Sequence, residues 1–302
     1  MIQSNVLNCG SGLAGTWFDG CNPTPKDFTK VFLKSPSAKI NLTSDVFDAD
    51  AIALLIKKGQ LVPLNDTLQI MDVAAKNNFQ TLANKKKIYI SQGLYDFTIG
   101  FEANPCLVKA LHLLTKKKWE LILLDSEGKL FFDNKGGFLN GFEINDFSVE
   151  NETVNDGGSK FAMVDCSIQL SQNGTKGYNE RKSYMVSTDT LDFYSVNGVQ
   201  NVKISATVLT ATGFKVKVVG GCDGTTPILG LALTNFRQLN ATTGAVVALT
   251  AVVDNNDGTY TLTGATAGDK TFQLYDLVVN SAIADIEKTQ FFQSNVLAVT
   301  VV

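Results

Sequence analysis

Few residues in this chain are of the types that move protons, attack carbonyls or hold metals. His112 is the single histidine, so a Ser-His-Asp or Cys-His arrangement would depend on it alone. It falls inside "ALHLLT", one position off an apolar helical stripe, where a helix-surface or boundary role is expected. One histidine also excludes a His-rich zinc or iron site, and no H-E-x-x-H occurs. Asp254, Asn256 and Asp257 offer oxygen ligands of the kind calcium takes. The twelfth position counted from Asp254 is Ala265 rather than the Glu of an EF-hand loop, and a tight turn demands the same Asn, Asp and Gly residues. Glu150 with Glu152, or Asp165 with its neighbours, are acids of the glycosidase type, but nothing in the sequence sets two of them at a working separation. Gly10, Gly12 and Gly15 in "GSGLAG" meet the spacing of a dinucleotide-binding turn by accident, since no strand immediately precedes them and no helix follows. No P-loop and no G-x-S-x-G is present. These observations predict a non-enzymatic protein with no cofactor and no metal.

The five cysteines, Cys9, Cys21, Cys106, Cys166 and Cys222, are odd in number and never spaced as C-x-x-C. Cys166 occupies an apolar strand position and Cys106 the first turn of a helix, where a thiol behaves as a small hydrophobe. Reduced thiols in a cytosolic folding compartment are the simplest reading, with a Cys9–Cys21 bridge as the alternative.

The chain has 302 residues, 44% hydrophobic and 18% charged, enough for two globular domains with their own cores. A net charge of −3 gives no general pull toward nucleic acid. Two local exceptions, Lys85–Lys87 and Lys116–Lys118, read as a solvated turn and a helix end. The first twenty residues contain no Lys or Arg and do not read as a signal peptide. The longest apolar run, "GAVVALTAVV", is about half the ~20 residues a membrane helix needs. The expectation is a soluble chain made in the cytoplasm, with no membrane partner.

Near residue 190 the chain changes character, and "STDTLDFYSVNGVQ" (187–200) carries the join. Residues 1–30 form an N-terminal arm, 31–190 a first domain and 200–302 a second. Helices are predicted over "DADAIALLIKKG", over "NDTLQIMDVAAKNNF" and, most strongly, over about 104–117. There Asn104 caps, Pro105 takes the first turn, and Lys116–Lys118 meet the negative end of the dipole. The rest of the first domain reads as a β meander, with strands "KKIYISQ", "YDFTIGFE", "WELILLD", "KLFFD" and "FLNGFEINDFSVE". The stretch "VENETVNDGGSKFAMVDCSIQLS" (149–171) then sets a polar loop before a strand with two faces. Ala162, Val164, Cys166, Ile168 and Leu170 alternate with Met163, Asp165, Ser167 and Gln169. The second domain shows seven short strands with turn signals between them, a sandwich signature, and "DNNDGTYTLTG" (254–264) reads as a hairpin. "QSNVL" recurs at 3–7 and 293–297 without an extended period.

Taken together, "LVKALHLLTKKKWELILLDSEGKLFF", "GGFLNGFEINDFSV" and "VNDGGSKFAMVDCSIQLS" resemble virion structural proteins of tailed phages, especially tail tube proteins. "DNNDGTYTLTG" is similar to the hairpin of bacterial Ig-like domains. The resemblance covers roughly 30–185 and 200–302. It implies a mainly β fold, in which a tail-tube-like β-sandwich or barrel with a flanking α-helix precedes an Ig-like β-sandwich. It also implies a homo-oligomer, with hexameric rings stacking around a channel that passes DNA without sequence preference. The chain's partners are then its own copies and other phage tail or head proteins, in a virion assembled in the host bacterial cytoplasm. On this reading Met163, Asp165, Ser167 and Gln169 face the channel. The loop Asn151, Glu152, Thr153, Val154, Asn155, Asp156, Gly157, Gly158 and Ser159 is then an arm to a neighbouring subunit. A capsid decoration or head–tail connector is the alternative of the same class, and a surface adhesin or carbohydrate-binding module the alternative of another.

Overall fold

The computed structural model describes residues 5–6, 25–42, 45, 47–65, 67–74, 76–150, 162–180, 183–186, 191–211, 213–222 and 224–302. The fold is mainly β. The chain divides into two compact units, Met1–Ala51 with Gln60–Tyr194, and Ile52–Gly59 with Ser195–Val302.

The strands of the first unit are β1 (Asn5–Val6), β2 (Phe28–Lys34), β3 (Leu61–Leu64), β4 (Thr67–Ala74), β5 (Asn78–Thr81), β6 (Lys87–Ser91), β7 (Tyr95–Glu102), β8 (Glu120–Asp125), β9 (Lys129–Lys135), β10 (Phe138–Asn140), β11 (Phe142–Val149), β12 (Met163–Leu170) and β13 (Ser183–Val186). Helix α1 (Ala49–Lys57) spans the division between the units, while α2 (Pro105–Leu114) and α3 (Gln172–Glu180) lie in the first. The main sheet runs β1-β13-β9-β8-β11-β12-β7-β4, with β10 on β9 and with β2 between β8 and β3. This is not the meander that the strand succession suggests. β7 pairs with β12 rather than with β8, and α2 carries the chain from one to the other. β11 makes the sheet turn. Phe142 and Glu143 pair with β8, a bulge falls between Ile144 and Asp146, and the rest of the strand pairs with β12. A bulge bends its strand and sharpens the local twist, which curls the sheet around its own core.

That core holds Phe97, Ile99 and Phe101 from β7 and Val164, Cys166, Ile168 and Leu170 from β12, closed by Leu121, Leu123, Phe131 and Phe142. α2 adds Leu111 and starts as its sequence demands, with Asn104 Oδ1 accepting from the Cys106 N–H at 2.9 Å. Two elements differ from expectation. "NDTLQIMDVAAKNNF" supplies β4 instead of a helix: its apolar residues satisfy either period, and pairing with β7 from Thr67 to Ala74 decides for the strand. α3, whose "QNGTKGYNE" carries no apolar stripe, forms because Gly174 lets it approach the Glu143 backbone and because Tyr178 buries among Tyr95, Phe97 and Phe142.

The second unit is a two-sheet sandwich. Its strands are β14 (Val199–Val208), β15 (Lys215–Gly220), β16 (Thr226–Pro227), β17 (Phe236–Asn240), β18 (Val246–Val247), β19 (Ala251–Asp254), β20 (Thr259–Thr263), β21 (Gly268–Leu274), β22 (Ala284–Ile286), β23 (Gln290–Ser294) and β24 (Leu297–Val301). One sheet runs β19-β20-β15-β14-β23-β22 with β16 on β15, and the other β18-β17-β21-β24. Phe214 stacks on Phe272 at 4.4 Å in a core that also holds Val216, Val218, Phe236 and Leu262. The hairpin at 254–264 forms as expected, Asp254 pairing with Tyr260 and Asn256 taking φ +61°. The apolar run "GAVVALTAVV" supplies β18 and most of β19, which lie in different sheets.

Candidate functional site

β12 separates the two kinds of side chain that its sequence alternates. Val164, Cys166, Ile168 and Leu170 are fully buried, and the three aliphatic side chains each contribute about 1.5–3 kcal/mol of burial. Met163, Asp165, Ser167 and Gln169 are half-buried on the opposite face. Register adds what the sequence could not show, which residues of other strands share that face. Gln169 pairs with Asp96 and Asp146, Ser167 with Thr98 and Ser148, Asp165 with Gly100, and Met163 with Glu102. The Glu150 N–H donates to the Asp165 carbonyl at 2.8 Å and so extends the Asp165 row. Asp96, Glu102, Asp146, Glu150 and Asp165 therefore stand on one face of β7, β12 and β11, where no described position holds Lys or Arg. Within this face the Asn145 amide donates to Gln169 Oε1 at 3.0 Å. Asp165 Oδ1 is buried and accepts no hydrogen bond. Behind it the Cys166 thiol is pushed up to about 12 by burial, with the charges of Asp165 and Glu150 adding to the effect.

Between β4 and β7 the chain leaves the sheet as a two-stranded hairpin, β5–β6, whose described residues from Lys76 to Ile90 are all exposed. Phe79 meets Tyr89 edge-on at 5.8 Å, and Ile88 and Ile90 point into solvent with them. The turn is closed by Lys85 N–H to the Leu82 carbonyl and Leu82 N–H to the Lys86 carbonyl, both at 2.9 Å. Lys85 takes φ +65°, a conformation that costs a non-glycine residue about 1–2 kcal/mol. The Lys85–Lys87 triplet thus sits at the tip. "KKIYISQ" is a strand as expected, but one of a free hairpin.

Asn151–Ser159 lies outside the described residues. His112 is exposed on α2, and its Thr115 neighbour donates to the His112 carbonyl at 3.0 Å. Lys116–Lys118 line a cleft of about 830 Å³ together with Lys135, Glu120, Glu143 and Asp146. Asp254 and Asp257 serve their turn. Asp254 accepts from the Asn256 and Gly230 N–H groups, and Asp257 from Thr259, which holds the Asp257 carboxyl below its ordinary value. Among the described residues no group of three acidic, His or Cys side chains is placed to hold a metal. No described helix is long and apolar enough to cross a membrane. The expectation of reduced thiols is corrected: Cys166 is free and buried, but Cys106 and Cys222 are each disulfide-bonded. Spacing along a chain does not reveal such bonds, and Cys106 is exposed in its helix rather than packed as a hydrophobe. No protein-family model matches this chain, and no curated protein is significantly similar to it.

Proposed function

We propose that the chain is a structural protein of a tailed-phage virion, the subunit of a tail tube. Its copies close side by side into rings, six in the proteins it resembles, and the rings stack around a DNA channel. The observation that supports this reading is the sheet β7-β12-β11, dry and packed on one face, with acidic and no basic residues at the described positions of the other. A sheet open at its edges is a template for joining another copy, and closure into a barrel removes those edges. DNA carries one negative charge per ~1.7 Å of duplex, so a lining of carboxylates gives it no site at which to stop. The mechanism is geometric: no bond is made or broken, and the second unit decorates the outside. Contacts with other tail or head proteins fall at the ends of the tube, in a virion assembled in the host cytoplasm.

Negative-stain microscopy of the purified full-length protein tests this. Rings or tubes about a hundred ångströms wide, scaled from domain size, are expected. Dispersed monomers at high concentration would count against the reading, as would a protein that binds only to capsids. Shortening Asn151–Ser159 to a tight turn should leave the chain folded and weaken assembly.

A further inference from the structure

The hairpin and the Glu102 end of the acidic face lie at opposite ends of β7, while Asp96 and Asp146 of the same face stand at the hairpin end. β5–β6 departs where β4 ends, at Ala74, and where β7 begins, at Tyr95. The other end of β7 is Glu102, and there three acids gather. Asp165 stands in the row of Glu150 and diagonal to Glu102, a spacing of about 5 to 8 Å. From Tyr95 to Glu102 is seven residues, roughly 23 Å of strand. One end thus carries three lysines on an exposed tip, and the other carries three carboxylates. None of these six residues makes an ion pair among the described residues.

A further observation asks for a partner. Phe79, Tyr89 and Ile90 are 54%, 53% and 60% exposed, a concentration of aromatic and aliphatic surface that marks contact sites rather than ordinary solvent-facing strands.

We infer that the β5–β6 hairpin of one copy docks on the Glu102 end of the β7–β12–β11 sheet of a second copy. Lys85, Lys86 and Lys87 then face the exposed Glu102 and Glu150 at the rim of the acidic face, and the apolar flanks of the hairpin are covered by the same partner. The two surfaces differ, so the contact is heterologous and repeats head to tail from one ring to the next. This deepens the tube reading by naming the surface through which copies stack, and it rests on the chain being a homo-oligomer.

Charge reversal in the full-length protein separates the two ideas. Lys85→Glu/Lys86→Glu/Lys87→Glu and, separately, Glu102→Lys/Glu150→Lys should each weaken end-to-end association roughly tenfold or more in sedimentation velocity. All the reversed side chains are exposed, so circular dichroism should be unchanged. An equimolar mixture of the two variants, and a variant carrying both sets, should recover association. Stacking that survives either reversal overturns the docking and leaves the rings standing. A wild-type protein that stays monomeric at every concentration overturns the tube reading, and the docking with it. Binding of the hairpin to phosphatidylserine vesicles, lost on Lys reversal while self-association persists, would assign it to a lipid surface and overturn the inference too.

Discussion

Replacing Lys57 should destabilise the second unit more than almost any other single surface-chemistry change. Its ammonium lies 2.6 Å from Asp285 Oδ1 and is also hydrogen-bonded to Asp276, with the three side chains only 8%, 13% and 7% exposed. Asp276 does further work: its other oxygen accepts the Val278 and Val279 N–H groups at 2.7 and 3.0 Å, and Ser281 Oγ donates to the Lys57 carbonyl at 2.9 Å. Lys57→Met keeps the aliphatic stem but strands two carboxylates away from water. Removing one partner of such a buried pair costs about 3–5 kcal/mol. Urea denaturation followed by circular dichroism, with hydrogen exchange over 276–294, reads the loss. Adding Asp276→Asn and Asp285→Asn should recover much of it, because the penalty is the uncompensated charge. The pH dependence is fixed in sign. Burial opposes the Lys57 charge, but the hydrogen bonds that its ammonium donates to Asp276 and Asp285 outweigh it and raise the pKa above 10.5, so this stability is complete below 10.5 and lost as pH rises beyond it. Burial likewise opposes ionisation of Asp276, but Lys57 and the two N–H groups hold it below 3.8, so its contribution is present above about 4 and lost as pH falls through the lowered value. Lys57→Met should flatten both limbs. A variant within about 0.5 kcal/mol of wild type, the range of an ordinary surface substitution, would refute the reasoning.

Two other substitutions probe the packing of each unit. Gln238 is 1% exposed on the inner face opposite Phe272, and neither side-chain polar atom has a partner; Gln238→Met should raise the urea midpoint by the equivalent of about 1–3 kcal/mol, and a lowered midpoint would mean the amide is engaged. A Cβ on Gly174 would lie 2.1 Å from the Glu143 carbonyl oxygen, so Gly174→Ala must push α3 off β11. A lowered melting temperature, equivalent to about 1–3 kcal/mol, is expected, and an unchanged one would show that the helix has room to give.

What the sequence discloses depends on whether a residue's fate is set by its neighbours in the chain or by its neighbours across the fold. The alternation of β12 is local, and every alternate residue from Val164 to Leu170 is buried as the period requires. The Asn104 cap and the 254–264 hairpin are local too. The β5–β6 hairpin is not, because "KKIYIS" alternates in the same way whether its flanks are covered by a sheet or by nothing. α3 is hidden for the opposite reason, since its two glycines lower helix propensity and its warrant is the ring of aromatics around Tyr178. The acidic face falls between these cases. Asp165 is legible as a residue opposite the core, but its company of Glu150, Glu102, Asp146 and Asp96 exists only through register.

The two candidate surfaces each burden the isolated chain. Like charges opposite one another on a sheet destabilise it by about 0.2–1 kcal/mol per pair, and Asp165 with Glu150 is such a pair. An exposed aromatic hairpin favours association over solubility. Each burden is relieved by what the other surface offers, lysines for the carboxylates and a covered flank for the aromatics. Salt should therefore act on the two states in opposite directions. At a Debye length of about 3 Å in 1 M salt, against about 10 Å at 0.1 M, repulsion within the acidic face is screened and the dilute monomer should melt higher. The same screening removes attraction between tip and acidic end, so association of concentrated protein should fall. If monomer stability and association instead rise together with salt, hydrophobic contact alone drives assembly, and the lysines and carboxylates are bystanders.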